Sequence, residues 1–223
     1  MKRISSILAG LLLITIGVQR TKAQESQQYN AWNALFTSYS LTSSNSVLLE
    51  THYRTKEFYG TQDQILIRPS FSRKISKNAT LTAGYTYISN GVGDTRVTEN
   101  NLWEQLSARY PITGKVNIFG WIRAEHRWID NSSVNFSTRI RFRNGFSIPL
   151  QQGLSLIAYN ETFLNFSNSF PALFNQNWSY LGFSKQLNSN LRIQTGYQRT
   201  SVNKSAGVLA KNIWFTILFW KLQ

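Results

Sequence analysis

The chain contains no cysteine, only two histidines (His52 and His126) and only 15% charged residues in 223. Without cysteine there can be no disulfide framework, thiol nucleophile, Cys-ligated zinc or iron–sulfur cluster. Beyond the N-terminus there is no apolar run of the ~20 residues that a membrane-crossing helix needs, and mean hydropathy is −0.27. Disorder is equally excluded, because 14% of the residues are aromatic and 42% are hydrophobic, enough to bury a core. Acidic residues are scarce: 10 against 24 Lys and Arg, a formal charge of +14. The length suits a single domain.

The first 23 residues read as a secretory signal. Lys2 and Arg3 precede an apolar stretch from Ile4 to Val18, and Thr21 and Ala23 supply small residues at the cleavage positions. Cleavage there leaves residues 24–223 as one domain and removes Lys2, Arg3, Arg20 and Lys22, so 20 basic and 10 acidic residues remain. These bases are spread along the chain without clustering, so nucleic acid is not an expected partner.

Downstream of Gln24, apolar and polar residues alternate in the period of a two-faced strand. Val47, Leu49, Thr51 and Tyr53 alternate with Leu48, Glu50, His52 and Arg54. Ile65, Ile67 and Phe71 alternate with Arg68, Ser70 and Ser72, and Leu81, Ala83, Tyr85 and Tyr87 with Thr80, Thr82, Gly84 and Thr86. Similar segments fall near 29–41, 100–110, 115–129, 134–148, 154–166, 176–187, 190–200 and 208–222, eleven in all. Short links are expected at Thr42–Asn45, Ser76–Asn78, Pro111–Gly114, Pro149–Gly153 and Asn188–Asn190, and longer ones at Ser89–Glu99, Ser167–Asn175 and Ser201–Gly207. Tight turns on one rim and longer loops on the other predict an all-β, up-and-down antiparallel barrel. Because bacterial single-chain barrels have even strand numbers, ten or twelve strands are expected.

Segment length favours a transmembrane barrel. A bilayer crossing takes ~9–11 tilted residues, whereas strands of soluble domains run mostly ~5–6. Phe58, Tyr59, Tyr85, Tyr87, Tyr110, Trp128, Phe166 and Trp178 lie near segment ends, as interfacial girdles require.

The opposite face carries the most specific signal. Arg123, Glu125 and Arg127 alternate on one segment, Arg139, Arg141 and Arg143 on the next, and Glu161 lies on the one after. A mid-bilayer arginine facing lipid costs ~2–4 kcal/mol, so this row must line a lumen, together with Glu50, Arg54 and Arg68. Reversal around Ser132 would set Glu125 opposite Arg139, and reversal around Gln151 would set Arg141 opposite Glu161. Ile140, Phe142, Phe146 and Ile148 take the lipid side, and Ser137 the lumen.

No catalytic, cofactor or metal residue is expected. His126 falls on the face opposite the charged row, His52 is a lumen filler, and Glu125 and Glu161 are separated by arginines. Gly91 and Gly93 start a dinucleotide-like pattern that lacks its third glycine, and read as an outer loop.

The signal ending at Ala23–Gln24, the Trp32 strand, the two alternating arginine rows, Asn160–Glu161 and the Gln176–Asn177 strand start together resemble domain of unknown function family 2490, regarded as outer-membrane β-barrels of Gram-negative bacteria. The resemblance spans the mature chain, which departs from the pattern at Asn101 and Trp178, where arginine is expected. It implies an outer-membrane location, with lipid and lipopolysaccharide as surroundings, and brings no established reaction. Three functions stay open: a narrow basic-lined pore for, or binder of, small anionic solutes; a plugged envelope barrel without transport; and a lipid-modifying enzyme.

Overall fold

The computed structural model describes residues 25–222 apart from 92–95, 114–115, 131–134, 167–172 and 206. The expected signal segment, 1–23, and Gly93 lie outside the described residues. Eleven strands succeed one another: β1 Glu25–Ser40, β2 Asn45–Lys56, β3 Gln62–Lys74, β4 Ala79–Asn90, β5 Val97–Thr113, β6 Val116–Ile129, β7 Phe136–Gln151, β8 Leu154–Phe166, β9 Phe174–Gln186, β10 Leu191–Lys204 and β11 Gly207–Leu222. Each pairs antiparallel with the next, and β1 closes the barrel against β11. No described helix is long and apolar enough to cross a membrane, which says nothing about crossing by strands.

All eleven segments are strands, so the even number expected from bacterial precedent is wrong. An odd meander makes its first and last strands run the same way, and closure therefore has to be parallel. Register runs from Glu25↔Val208 to Tyr39↔Leu222. Closure satisfies the edge donors and acceptors of both end strands, which an open sheet would leave unpaired.

The links are shorter than the sequence suggests. Ser89 and Asn90 extend β4, Val97–Glu99 open β5, Phe174 and Asn175 open β9, and Ser201–Lys204 extend β10. Pro111 and Pro149, expected in turns, lie inside β5 and β7 at register shifts. A proline has no N–H to give the ladder, so it is tolerated where a bulge breaks pairing.

Side-chain parity is nearly as expected. Leu49, Tyr53, Ile67, Phe71, Leu81, Leu102, Ile122 and Phe142 are exposed on the outer wall. Phe58, Tyr59, Tyr85, Tyr110, Trp128 and Phe166 are exposed too. Trp178 is the exception among the expected girdle residues. It turns inward, its ring 5.3 Å from that of Trp32 and 4.6 Å from Phe163. The strand's parity, shared with buried Tyr180, decides this.

The outer wall is not uniformly apolar. Asn144, Asn160, Ser179, Arg199 and Asn212 stand in direct register across β7–β11. Asn160 Nδ2 donates to Asn177 Oδ1 at 2.9 Å and Ser179 Oγ at 3.0 Å, and Tyr197 Oη donates to Asn212 Oδ1 at 2.5 Å. These amides satisfy each other across strands.

Inside, glycines make room for rings. Gly182 and Gly196 face each other on β9 and β10 beneath Tyr180, which stacks on Tyr159 with ring centroids 4.7 Å apart and planes 10° off parallel. A Cβ on either glycine would collide with backbone of the neighbouring strand. Replacing Gly182 with alanine is therefore expected to cost ~1–3 kcal/mol through forced backbone displacement. The urea midpoint of the refolded barrel is the readout, and Gly153→Ala would not serve as a control because Gly153 has a positive φ of 70°.

Candidate functional site

The lumen has two unlike walls. One is apolar and comes from β1, β8, β9 and β11, where Trp32, Ala34, Ile157, Tyr159, Tyr180, Ile213, Phe215 and Ile217 form one buried cluster, with Phe36, Phe119, Trp178 and Phe219 packed against it. The other comes from β2, β3 and β5–β8 and holds the ionic groups. Alternation sets which residues of each strand face inward, and those of β1 and β11 are largely apolar whereas those of β2, β6 and β7 are largely polar or charged.

Five of the ionic side chains form one chain of contacts: Arg139, Glu125, Arg141, Glu161 and Arg143. Glu125 and Glu161 are both fully buried. Glu125 Oε2 accepts from Arg139 Nε at 2.6 Å, and its Oε1 accepts from Arg141 Nη1 at 2.6 Å. Arg141 also donates through Nε to Glu161 Oε1 at 2.7 Å and through Nη2 to the same oxygen. Glu161 Oε2 accepts from Arg143 Nε at 2.8 Å and from its Nη2. Arg141 thus bridges two carboxylates, and each carboxylate joins two arginines. Such charge-assisted forks fix geometry as well as neutralising charge.

The Glu125↔Arg139 register is as expected from the sequence. The second expected register is not: Glu161 lies opposite Arg143, and Arg141 opposite Phe163. The β7–β8 pairing centres on Gln152, one residue later than expected, so the register lies two residues from the expected one, an even offset that preserves the face; the bulge between Pro149 and Gln151 takes up a single residue beside the turn. Arg141 reaches Glu161 diagonally instead.

The remaining expected residues fall on the same lumen surface. Arg68 Nη1 donates to Glu50 Oε2 at 2.8 Å, and Arg68 Nε to Thr86 Oγ1 at 2.9 Å. Arg123 donates through Nε and Nη2 to Gln105 Oε1 at 2.9 and 2.7 Å, while its Nη1 lies 3.8 Å from Glu125 Oε1. Its guanidinium sits 4.1 Å from the centre of the Trp103 ring and 4.9 Å from that of Trp121. Arg54 donates to Gln64 Oε1 at 2.5 Å and rests 3.8 Å over Trp32.

Arg127 pairs with a carboxylate that sequence reasoning misses because it falls in an expected link. Glu99 accepts from Arg127 Nε at 2.7 Å and Nη2 at 2.8 Å, and Asn101 Nδ2 donates to it at 2.9 Å. The signal is there, since Glu99 shares parity with the inward Asn101 and Trp103 once β5 is begun at Val97. Asp63, between Lys56 at 3.6 Å and Lys211 at 3.4 Å, is missed because it lies at the start of β3, ahead of the alternation that begins at Ile65.

The two histidines separate as expected. His52 is buried in the lumen, its ring 5.6 Å from Phe36 and 6.1 Å from Phe215, with Nε2 3.5 Å from Glu50 Oε2. His126 faces outward beside Glu104, 3.5 Å away.

Between the two walls lies a cavity of about 570 Å³. Seven arginines (54, 68, 123, 127, 139, 141 and 143), Lys204 and Lys211 border it. The acids bordering it are Glu50, Asp63 and Glu99, with Glu125 and Glu161 buried behind the arginines. Nine bases against five acids leave an excess of four positive charges around it.

The sequence profile of the family described as "protein of unknown function (DUF2490)" matches residues 29–211. An uncharacterized protein of Methylorubrum extorquens is 23% identical over 223 residues, covering 96% of each chain. No solved structure matches.

Proposed function

Because the chain belongs to the DUF2490 family, whose description assigns no activity, we propose a function from the barrel itself: an outer-membrane protein whose lumen binds small anions. Supporting the location are the exposed apolar and aromatic outer wall, strands of 12 to 17 residues, and the signal-like features of residues 1–23. The observation that carries the binding reading is the imbalance of charge in the cavity. Most lumen arginines are spent on carboxylates, but Arg54 has no carboxylate partner among the described residues and Arg123 has one only at 3.8 Å. Cations enclosed by low-dielectric walls concentrate anions at them.

Binding is favoured over wide permeation because the arginine–glutamate chain and the facing rings occupy the barrel interior, as side chains do in barrels of about eight strands. Catalysis is not part of the reading. Each of the lumen glutamates is engaged by arginine, and no serine donates to His52 among the described residues.

The test is calorimetric titration of the refolded barrel with inorganic phosphate at two ionic strengths. Saturable binding that weakens with salt and falls at least about tenfold in Arg54→Gln and Arg123→Gln is expected. Absence of binding to the folded wild type overturns the proposal. Planar-bilayer recording of the same preparation should give no large ohmic conductance; a steady, salt-proportional conductance would replace the binding chamber by a pore.

A further inference from the structure

Resting on the anion-binding reading, we infer that the ligand is amphipathic: a single carboxylate or phosphate carried on an apolar body, held with its head at Arg54 and Trp32 and its body against the β1 and β11 wall. The cavity's two walls are the first observation. Its charged side would solvate any anion. Its other side presents Phe36, Leu209, Phe215, Ile217 and Phe219, which an inorganic anion leaves facing water. Covering that apolar area on binding is favourable in proportion to the area removed from water, so an apolar body on the ligand adds affinity that a bare anion cannot recover. The cavity volume, about 570 Å³, lies in the ~300–1,000 Å³ range of small-molecule sites.

The second observation places the head. Arg54 Nε, Arg123 Nη1 and the indole Nε1 of Trp32 are buried N–H donors without a hydrogen-bond acceptor among the described residues. Trp32 is 4% exposed and Arg123 6%. Buried donors are ordinarily paired, and an unpaired one carries a desolvation cost that an incoming oxygen relieves. Arg54 and Trp32 form one stacked unit, with the guanidinium over the indole. That unit stands at the seam between the walls, because β1 contributes Trp32 to the apolar side and β2 contributes Arg54 to the charged side. A head docked there leaves its substituent pointing along Phe215 and Ile217.

The arginines already saturated by Glu125 and Glu161 are not the reading heads. They hold the charged wall rigid, and rigid walls bind at lower entropic cost. Arg141 illustrates the division of labour: besides its two carboxylates it packs 4.5 Å over Phe163 and so ties the charged wall to the apolar one.

The experiment titrates the wild-type barrel, refolded into lipid vesicles, with three probes: inorganic phosphate, phenyl phosphate and benzyl alcohol. Heat and tryptophan fluorescence are followed together, since Trp32 lies at the head site. Phenyl phosphate is expected to bind at least about tenfold more tightly than inorganic phosphate, and benzyl alcohol with no saturable signal. Leu209→Ser and Ile217→Thr should each shrink the ratio of the two phosphates severalfold. The wild-type comparison needs no variant, so the inference remains falsifiable should either variant fail to fold. Equal affinities for the two phosphates would overturn the amphipathic ligand while leaving the anion site standing. No binding of either phosphate would overturn both readings. Saturable binding of benzyl alcohol alone would show an apolar pocket without a head site and would overturn the inference as well.

Discussion

Glu125→Gln is expected to destabilise the barrel by ~3–5 kcal/mol, the cost of leaving a buried arginine without its counter-charge. Glutamine keeps the shape and one acceptor oxygen, so the loss reads charge and not volume. Arg139 makes both of its short carboxylate contacts to Glu125, at 2.6 and 2.5 Å, whereas Arg141 retains Glu161. The burden therefore falls on Arg139, whose side chain is 11% exposed. Glu161→Gln should cost less, because the arginine it strands, Arg143, has a side chain 24% exposed and can draw on water. The double variant Glu125→Gln with Arg139→Gln removes both members and should recover much of the loss, giving a coupling energy far from additivity. Urea midpoints of the folded-to-unfolded gel shift measure all of these variants against wild type. An unchanged midpoint in Glu125→Gln, or a double variant equal to the sum of the singles, would mean that the network is incidental to stability.

That network is legible in the sequence to the level of face and strand. Alternation at Arg123, Glu125 and Arg127 and at Arg139, Arg141 and Arg143 determines which side the charges take, because a strand's parity is local. Register is not local. It depends on turns and bulges, and the β7–β8 pairing centres one residue later than symmetry around Gln151 would put it, which moves Glu161 from Arg141 to Arg143 without changing its face. Parity likewise fails only where strand limits are misplaced: Glu99 falls in an expected link, Asp63 lies ahead of the alternation that begins at Ile65, and Trp178 has its side decided by counting from Tyr180, not by its nearness to a segment end. Single strands record whether their inward residues are apolar or charged, but not which of these faces adjoin one another in the lumen. That adjacency comes from pairing: the β1–β2 hairpin sets Trp32 opposite Arg54, and closure lands β11 beside β1 with Phe215 opposite Trp32. The parallel closure has the same origin, since no segment records which end meets which.

Phe142→Arg should prevent or severely slow insertion of the barrel into lipid vesicles, while Ser179→Arg should be much less harmful. Both positions face outward: Phe142 is 42% exposed on β7, and Ser179 is exposed on β9. They differ in surroundings. Phe142 has Ile140 beside it on β7 and Ile122 opposite it on β6, with Thr162 on β8, and on the membrane reading a guanidinium there would meet hydrocarbon at ~2–4 kcal/mol near mid-depth. Ser179 lies in the polar row, beside Asn160 and in register with Arg199, where amide oxygens can accept from an added guanidinium and the wall already tolerates one. The comparison separates position on the wall from the mere addition of charge. Ser137, although it faces the lumen, would be a poor control: it is 1% exposed and Arg127 Nη1 contacts its hydroxyl at 3.4 Å, so an arginine there would be excluded by crowding and like charge in any solvent. Insertion yield by protease protection and heat-shifted gel mobility gives the readout. If Phe142→Arg inserted as well as wild type, the outer wall would not contact hydrocarbon, and the membrane assignment would fall while the barrel and its charged lumen remained. If Ser179→Arg failed as completely as Phe142→Arg, the polar row would have to be shielded from charge by close contact with apolar matter, and the difference in surroundings on which the prediction rests would be void.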